Sequence, residues 1–463
     1  MNGYGLRIAF LLLSSLTALV GCGGGVSTHS SPPPPVGTTF TPASTQAWLQ
    51  QFGPAVAPPS ADVATNVLSN LATDSGGNVI TAGYTLGSFS DASSPAGPAQ
   101  DFLAKYGPSG KQLWLNEFGT GAGDFLEAVA VATTGEIVAG GETFGAYPGF
   151  SNPSQSPQAV IFKMDASGNR EWVQQFSLSG SPQTSVNSVA TLSDGDVYAA
   201  GVASAGGVTQ SVFFCRLDGS TGKILWQYLF GSNVFDVVTA IAVDSTDDLF
   251  ALGETQGAFP GTAGGNDTTY LLKIDPSGSI IWNSTVSSPN SAGILAALAV
   301  DNNGDPVLVG ATLNPGIKSA PIFVVGFGAA PDERCFVTKY DGATGTQTWV
   351  QTFGTGYGDQ LSGVAVDASN NIVASGITNG TFASAFSPPK ENILLLKFSS
   401  SGSNQWVQQI GTGPLTNGSI PVGPVITTDS SGNIFLGAGT QGAYPGFSNE
   451  SSDIEMFVSK FGP

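Results

Sequence analysis

The stretches "AWLQQFG" (47–53), "EWVQQFS" (171–177) and "QWVQQIG" (405–411) are near-copies of one seven-residue phrase. Looser copies complete the set. The seven Trp residues (Trp48, Trp114, Trp172, Trp226, Trp282, Trp349 and Trp406) each begin such a phrase, and an apolar residue follows four positions on. Successive Trp residues are 66, 58, 54, 56, 67 and 57 residues apart, and 57 more follow Trp406. A period of this size marks a chain of supersecondary units that stack on one another.

One unit, residues 349–405, reads as four short strands: "WVQTFG" (349–354), "GVAVD" (363–367), "IVASGIT" (372–378) and "NILLLKF" (392–398). Gly-rich or polar turns separate them. No run places apolar residues at helical spacing, so the class is all-β. Other positions recur in register. A turn Asp follows the first strand at Asp74, Asp244, Asp301, Asp367 and Asp429, with Ala132 and Leu192 as departures. An Asp there can bond its own downstream backbone and set the turn. Thr85, Thr143, Thr255, Thr312, Thr378 and Thr440 close the second strand, with Ala203 as the exception. The third strand carries one cation per unit: Lys105, Lys163, Arg216, Lys273, Lys339, Lys397 and Lys460. An apolar residue follows each, so strand alternation aims the cation at the opposite face, where its stem packs and its head pairs with an acid.

The two ends of the repeat decide between a ring and a solenoid. A solenoid needs capping repeats. Here the fold opens on a lone Trp strand (47–53) and ends at "MFVSKFGP" (456–463), just after a third strand. Each end supplies what the other lacks. The expected fold is one seven-bladed β-propeller of four-stranded blades over 47–463, closed by an N-terminal outer strand that completes the last blade. Small-residue strands such as "AVAVA" (128–132) belong near the axis, and Trp and Phe at the splayed periphery.

Charged residues make up only 10% of the chain, and the net charge is −19. An acidic surface with few Lys and Arg disfavours nucleic acid and anionic headgroups as partners, and no nucleic-acid partner is expected. The first 21 residues read as a lipoprotein signal peptide: Arg7, then the apolar run "IAFLLLSSLTALV" (8–20), then "LVGC" (19–22). This resembles a bacterial lipobox, which implies lipidation, including palmitate, on Cys22. Residues 22–46, with four consecutive Pro (32–35), form a solvated tether, and the only His, His29, lies in it. The expected place is the bacterial cell envelope, at the outer membrane or cell surface, with the membrane reached through the lipid. Cys215 and Cys335 fall in non-neighbouring units at different positions and read as buried apolar residues rather than a disulfide.

The strand "WLNEFGTGAGD" (114–124), the hairpin "ATDSGGNVITAGYT" (72–85) and the turn "FLAKYGPSG" (102–110) resemble the bacterial SBBP family of seven-bladed propeller repeats. That resemblance implies architecture and export, not a substrate. "LDGSTGKILW" (217–226) and "YDGATGTQTW" (340–349) are similar to quinoprotein repeats, in two units only.

No catalytic motif is present: no H-E-x-x-H, no G-x-S-x-G, no phosphate-binding loop. The expected role is a scaffold or binding module for a protein or glycan, acting as a monomer. The alternative is a propeller hydrolase or lyase acting on polysaccharide through rim carboxylates, which needs only two suitably spaced acids. Asp124, Asp236 and Asp359 each stand four residues before the inner strand as read above, with Asn66 and Thr184 equivalent in two more units. At a channel mouth such oxygens suit a hard cation such as Ca²⁺; the alternative is that each satisfies its own loop. Loops such as "TFGAYPGFSN" (143–152) are candidate contact surfaces, as is the apolar "IFVVGFGAA" (322–330) within the long connection 312–334.

Overall fold

The computed structural model describes residues 44–463 apart from 54–65, 90–97, 206–208, 233, 258–267, 287–292, 313–333, 356–357, 383–391, 412–422, 441–443, 445 and 448–453. The signal segment, Cys22, His29, most of the tether and residues 322–330 lie outside the described residues.

Every strand belongs to one of seven antiparallel four-stranded sheets. Blade 1 runs from its inner strand Asn66–Thr73 through Val79–Thr85 and Gln100–Tyr106 to its outer strand Gln112–Phe118. Blades 2 to 6 repeat this order over 124–176, 183–230, 236–285, 293–353 and 359–411. Blade 7 takes three strands from the C-terminus (Val425–Thr428, Ile434–Thr440, Glu455–Phe461) and its outer strand, Gln46–Phe52, from the N-terminus. Trp48 lies opposite Lys460, and Phe52 opposite Met456. Each inner strand touches the inner strands of both neighbours, and that of blade 7 touches that of blade 1. The molecule is a seven-bladed β-propeller.

The core lies between blades. The cluster at the seam joins Leu68, Val79, Phe102 and Tyr106 of blade 1 to Phe435, Met456 and Val458 of blade 7, with Trp48 and Phe52 against it. Middle strands are buried on both faces, which is why they read as continuous apolar runs rather than alternations.

The recurrent Trp is a latch to the next blade. Trp48 Nε1 donates to the Pro108 carbonyl at 2.9 Å, Trp172 to Gly219, Trp226 to Pro276 and Trp282 to Gly342. Each acceptor sits in the turn between the third and outer strands of the following blade. The third-strand cation reaches the same carbonyl in three blades: Lys163 to Gly219, Arg216 to Pro276 and Lys273 to Gly342. That turn also needs glycine. Gly110 and Gly222 have positive φ, 83° and 71°, and a Cβ on them would meet the Trp48 and Trp172 rings at 2.8 and 2.7 Å.

Every third-strand cation pairs with an acid of its own blade. The turn Asp serves for Lys105 (Asp74, 2.9 Å), Lys273 (Asp244, 3.0 Å), Lys339 (Asp301, 2.7 Å), Lys397 (Asp367, 3.1 Å) and Lys460 (Asp429, 3.9 Å). The two blades with Ala132 and Leu192 at that position supply the acid elsewhere: Glu136 and Glu171 for Lys163, Asp194 and Asp196 for Arg216. The seven cations are blade ties, not an anion-binding ring. Cys215 and Cys335 are buried and unbridged, and burial pushes the Cys215 thiol up to about 12.

Candidate functional site

The two ends of the propeller differ. On one, tight turns join inner to second and third to outer strands, and most begin with a capping residue such as Asp367, whose Oδ1 accepts from Ser369 N and Asn371 N. On the other lie the connections from second to third strand and from outer strand to the next inner strand. Every stretch between 44 and 463 that is outside the described residues falls in these connections. This loop face and the adjoining channel wall are the candidate site.

Sequence reading began the inner strands too late. They start at Asp124, Asp236 and Asp359 themselves, at full burial, not four residues downstream. A β-bulge explains the error. Pairing shifts register between Leu126 and Ala128, between Val238 and Ala240, and between Leu361 and Gly363. The extra residue inverts the alternation and hides the strand's first half.

Each of the three Asp residues binds its own blade. Asp124 accepts from Thr120 N at 2.7 Å and from the Thr120 hydroxyl. Asp236 accepts from Ser232 N, the Ser232 hydroxyl and Thr255 Oγ1. Asp359 accepts from Thr355 N, the Thr355 hydroxyl and Thr378 Oγ1. Asn66 does likewise, accepting from Thr85 Oγ1 at 2.6 Å. This clasp explains the recurrent Thr at the end of the second strand. In blade 3, where Ala203 replaces it, Thr184 turns to Ser181 O instead. The structure does not bring the three carboxylates together, and among the described residues no group of three or more metal-ligating side chains forms.

The same bulge recurs in six inner strands, and the residues it frees are Ser69, Glu127, Asn187, Thr239, Ala296 and Ser362. Five of the six are polar. Asn187 Nδ2 donates to Val238 O, and Ser362 Oγ to Pro424 O, which bridge adjacent blades. Glu127 is the one charged member.

Beside it, between blades 1 and 2, Asp101 is completely buried, and neither carboxylate oxygen has a hydrogen bond of normal geometry. Burial first, then the negative charges of Asp124, Glu127 and Glu142, hold its carboxyl well above the usual range, against one opposing interaction from the Leu126 amide. A raised folded value means that the native state holds this proton more tightly than the unfolded chain does. The contribution of this group to stability is therefore most favourable below the unfolded value near 3.9 and falls as pH rises from there toward the folded value. Asp101→Asn, a neutral isostere, is expected to raise the melting temperature at pH 8 and to leave it almost unchanged at pH 3. A lower melting temperature at pH 8 would show that the carboxylate is partnered.

The described aromatic loop 143–152 is held down on its blade. Phe144 and Tyr147 are buried, and the Tyr147 ring meets Phe162 edge-on at 5.1 Å. Gln175 clamps it: Tyr147 N donates to Oε1, and Nε2 donates to Gly145 O and Gln158 Oε1. The equivalent Gln409 binds Phe382 N and Gly380 O, and Gln51 binds Tyr444 N. These are the second glutamines of the Gln-Gln pair in each of the three near-identical phrases. Where the phrase is strict, it clamps an aromatic loop. Gln175→Ala strands buried partners, each costing about 1–3 kcal/mol, so a loss of about 2 kcal/mol and faster amide exchange at Tyr147 are expected. An unchanged exchange rate at Tyr147 would remove the clamp.

The family model described as outer membrane protein assembly factor BamB matches residues 99–329, just under half of the chain. No curated protein matches the sequence. Among solved structures, a chain of the mitotic checkpoint complex is 12% identical at TM-score 0.48, with 97% of this chain and 99% of that chain covered. A PL25 ulvan lyase bound to a GlcA–Rha3S oligosaccharide is 10% identical at TM-score 0.46, covering 86% and 94%. YCF48 bound to a D1 peptide is 9% identical at TM-score 0.46, covering 92% and 98%. At these TM-scores the likenesses carry no argument, and the propeller assignment rests on the strand topology.

Proposed function

We propose that the chain is an exported lipoprotein, anchored through Cys22 and the tether 22–46, whose propeller is a binding module for a protein or glycan at the loop face. One observation carries the reading. Among the described residues, the third-strand cations and the acids that open the inner strands are engaged in the scaffold, while the connections from second to third strand and from outer to next inner strand belong to one end of the blades. The third-strand cations are all paired, and Asp124, Asp236 and Asp359 are buried at the starts of their inner strands and bonded within their own blades. The description of the matching family model, an outer membrane assembly factor, supports an envelope setting and a protein partner. The resemblance to SBBP repeats supports export.

Binding of the full chain to envelope proteins and to a glycan array, beside a hydrolysis screen, tests the module. Retention without turnover is the expected result. Turnover that disappears when two loop-face carboxylates are changed would replace this reading with the hydrolase. The anchor is tested separately. Cys22→Ser is expected to move the protein from the membrane to the soluble fraction with its melting temperature unchanged. Continued membrane fractionation with palmitate labelling would remove the anchor from the proposal.

A further inference from the structure

The outer strand of blade 3, Ile224–Phe230, reads ILWQYLF. Leu225, Tyr228 and Leu229 are 51%, 41% and 49% exposed, and Val234 follows at 45%. The outer strand of blade 5 is as open, but its exposed residues are mainly Gln and Thr. Residues 224–235 contain no charged side chain in a chain of net charge −19. Blade 3 is uncovered here for a local reason. Leu229 stands where blades 2, 6 and 7 place the clamping Gln, and its connection from second to third strand is only 205–210, against 144–157 in blade 2. Among the described residues the sheet order ends at this strand, and no strand pairs with its far edge.

An exposed, uncharged, apolar edge is a template for strand pairing. Its sequence also specifies the partner. A twofold contact needs a patch complementary to itself, and ILWQYLF is a chemical palindrome about Gln227. Antiparallel pairing with its own copy sets Leu225 opposite Leu229, Trp226 opposite Tyr228 and Ile224 opposite Phe230. Aromatic and aliphatic cross-strand pairs of this kind are favourable. The next pair, Lys223 with Gly231, brings no like charges together. Two strongly acidic molecules repel over most of their surfaces, and this strip is free of that penalty.

We propose that the outer edge of blade 3 docks a second copy of this chain, strand to strand and antiparallel about Gln227, to form a twofold dimer in place of the monomer expected from sequence. Two four-stranded blades then continue as one eight-stranded sheet, with both loop faces left open.

Sedimentation of the full chain across a concentration series tests this, with Leu229→Lys as the disrupting variant and Gln227→Cys as the register probe. The expected results are a mass that doubles with concentration, and a Leu229→Lys protein that stays monomeric over the same range with an unchanged melting temperature. Gln227→Cys should form a disulfide-linked dimer well beyond the parent, which carries the same Cys22, Cys215 and Cys335. A monomer at every concentration, with no added cross-link, overturns the proposal. So does an open-ended series of larger species, which means the contact does not close. Capture of an extended apolar peptide by this strand without self-association would assign the edge to a different partner. A dimer that survives Leu229→Lys and does not cross-link at position 227 would place the interface elsewhere.

Discussion

Deletion of residues 46–52 is expected to leave a protein that aggregates on expression and shows no cooperative melt near the parent temperature. The strand is seven residues long, yet it closes the ring. Its loss exposes the edge of Glu455–Phe461, whose apolar side chains are buried along most of their length, and a long bare edge promotes association. Trp48 and Phe52 leave with it. Their rings lie 6.0 Å from Phe435 and 5.7 Å from Tyr106, at the seam where sequence-distant segments complete one blade. Truncating a buried aromatic costs about 3–5 kcal/mol, and half-buried Trp48 belongs at the low end. The Trp48 bond to Pro108 and the Gln51 bond to Tyr444 go too. Together these losses match the whole stability of an ordinary domain, about 5–15 kcal/mol. A synthetic 44–53 peptide added in trans should recover part of the fold. A deletion that melts as the parent does would show that the ring closes by other means.

The architecture was legible because the signals that define it are local and repeated. Seven Trp phrases gave the blade count, and the complementary ends gave the closure. Three features were hidden, each for its own reason. The bulges at Glu127, Thr239 and Ser362 insert one residue into an alternation of period two, which shortens the inner strands in the sequence and puts the acids that begin them in loops. The latch from Trp172 and Lys163 ends on a main-chain carbonyl, Gly219 O. A carbonyl has no sequence identity, so nothing in the letters points to it. The glutamine clamp did leave a trace. Gln51, Gln175 and Gln409 occur in the blades whose loops carry Tyr444, Tyr147 and Phe382. That co-occurrence within one chain is a contact signal, available without any structure. The loop face was the least legible part. Its connections vary in length, and only three of them, which open at Thr143, Thr255 and Thr440, share a phrase, so the repeat that revealed the scaffold carries little information there.

Asp74→Ala is expected to destabilise the protein by about 3–5 kcal/mol, more than Lys105→Met does. Both side chains of this pair are more than nine-tenths buried, and the ions lie 2.9 Å apart. Removing one member of a buried pair leaves the other charge uncompensated, which is where costs of this size arise. The two members are not equivalent. Asp74 also organises its turn: Oδ1 accepts from Gly76 N and Asn78 N, and both oxygens accept from Asn78 Nδ2. Lys105→Met keeps the apolar stem and leaves Asp74 with these donors. Asp74→Ala strands the Lys105 ammonium with the Ala166 carbonyl, 3.1 Å away in the next blade, as its remaining partner. The pH dependence separates the pair from the turn. Burial alone would raise the Asp74 carboxyl, but the bonds from Lys105 and Asn78 outweigh it and hold the group below its ordinary value. A lowered folded value contributes stability above the unfolded value near 3.9, and that contribution is lost as pH falls through the folded value. The gap in stability between parent and Asp74→Ala, measured by urea unfolding, should therefore be widest at pH 6–8 and narrow toward pH 2. Lys105→Met should show a flatter profile than the parent in that acidic window, because Asp74 has lost the partner that kept it ionised. Equal losses for the two variants, with the same slope against pH, would mean that the turn and not the ion pair sets the cost.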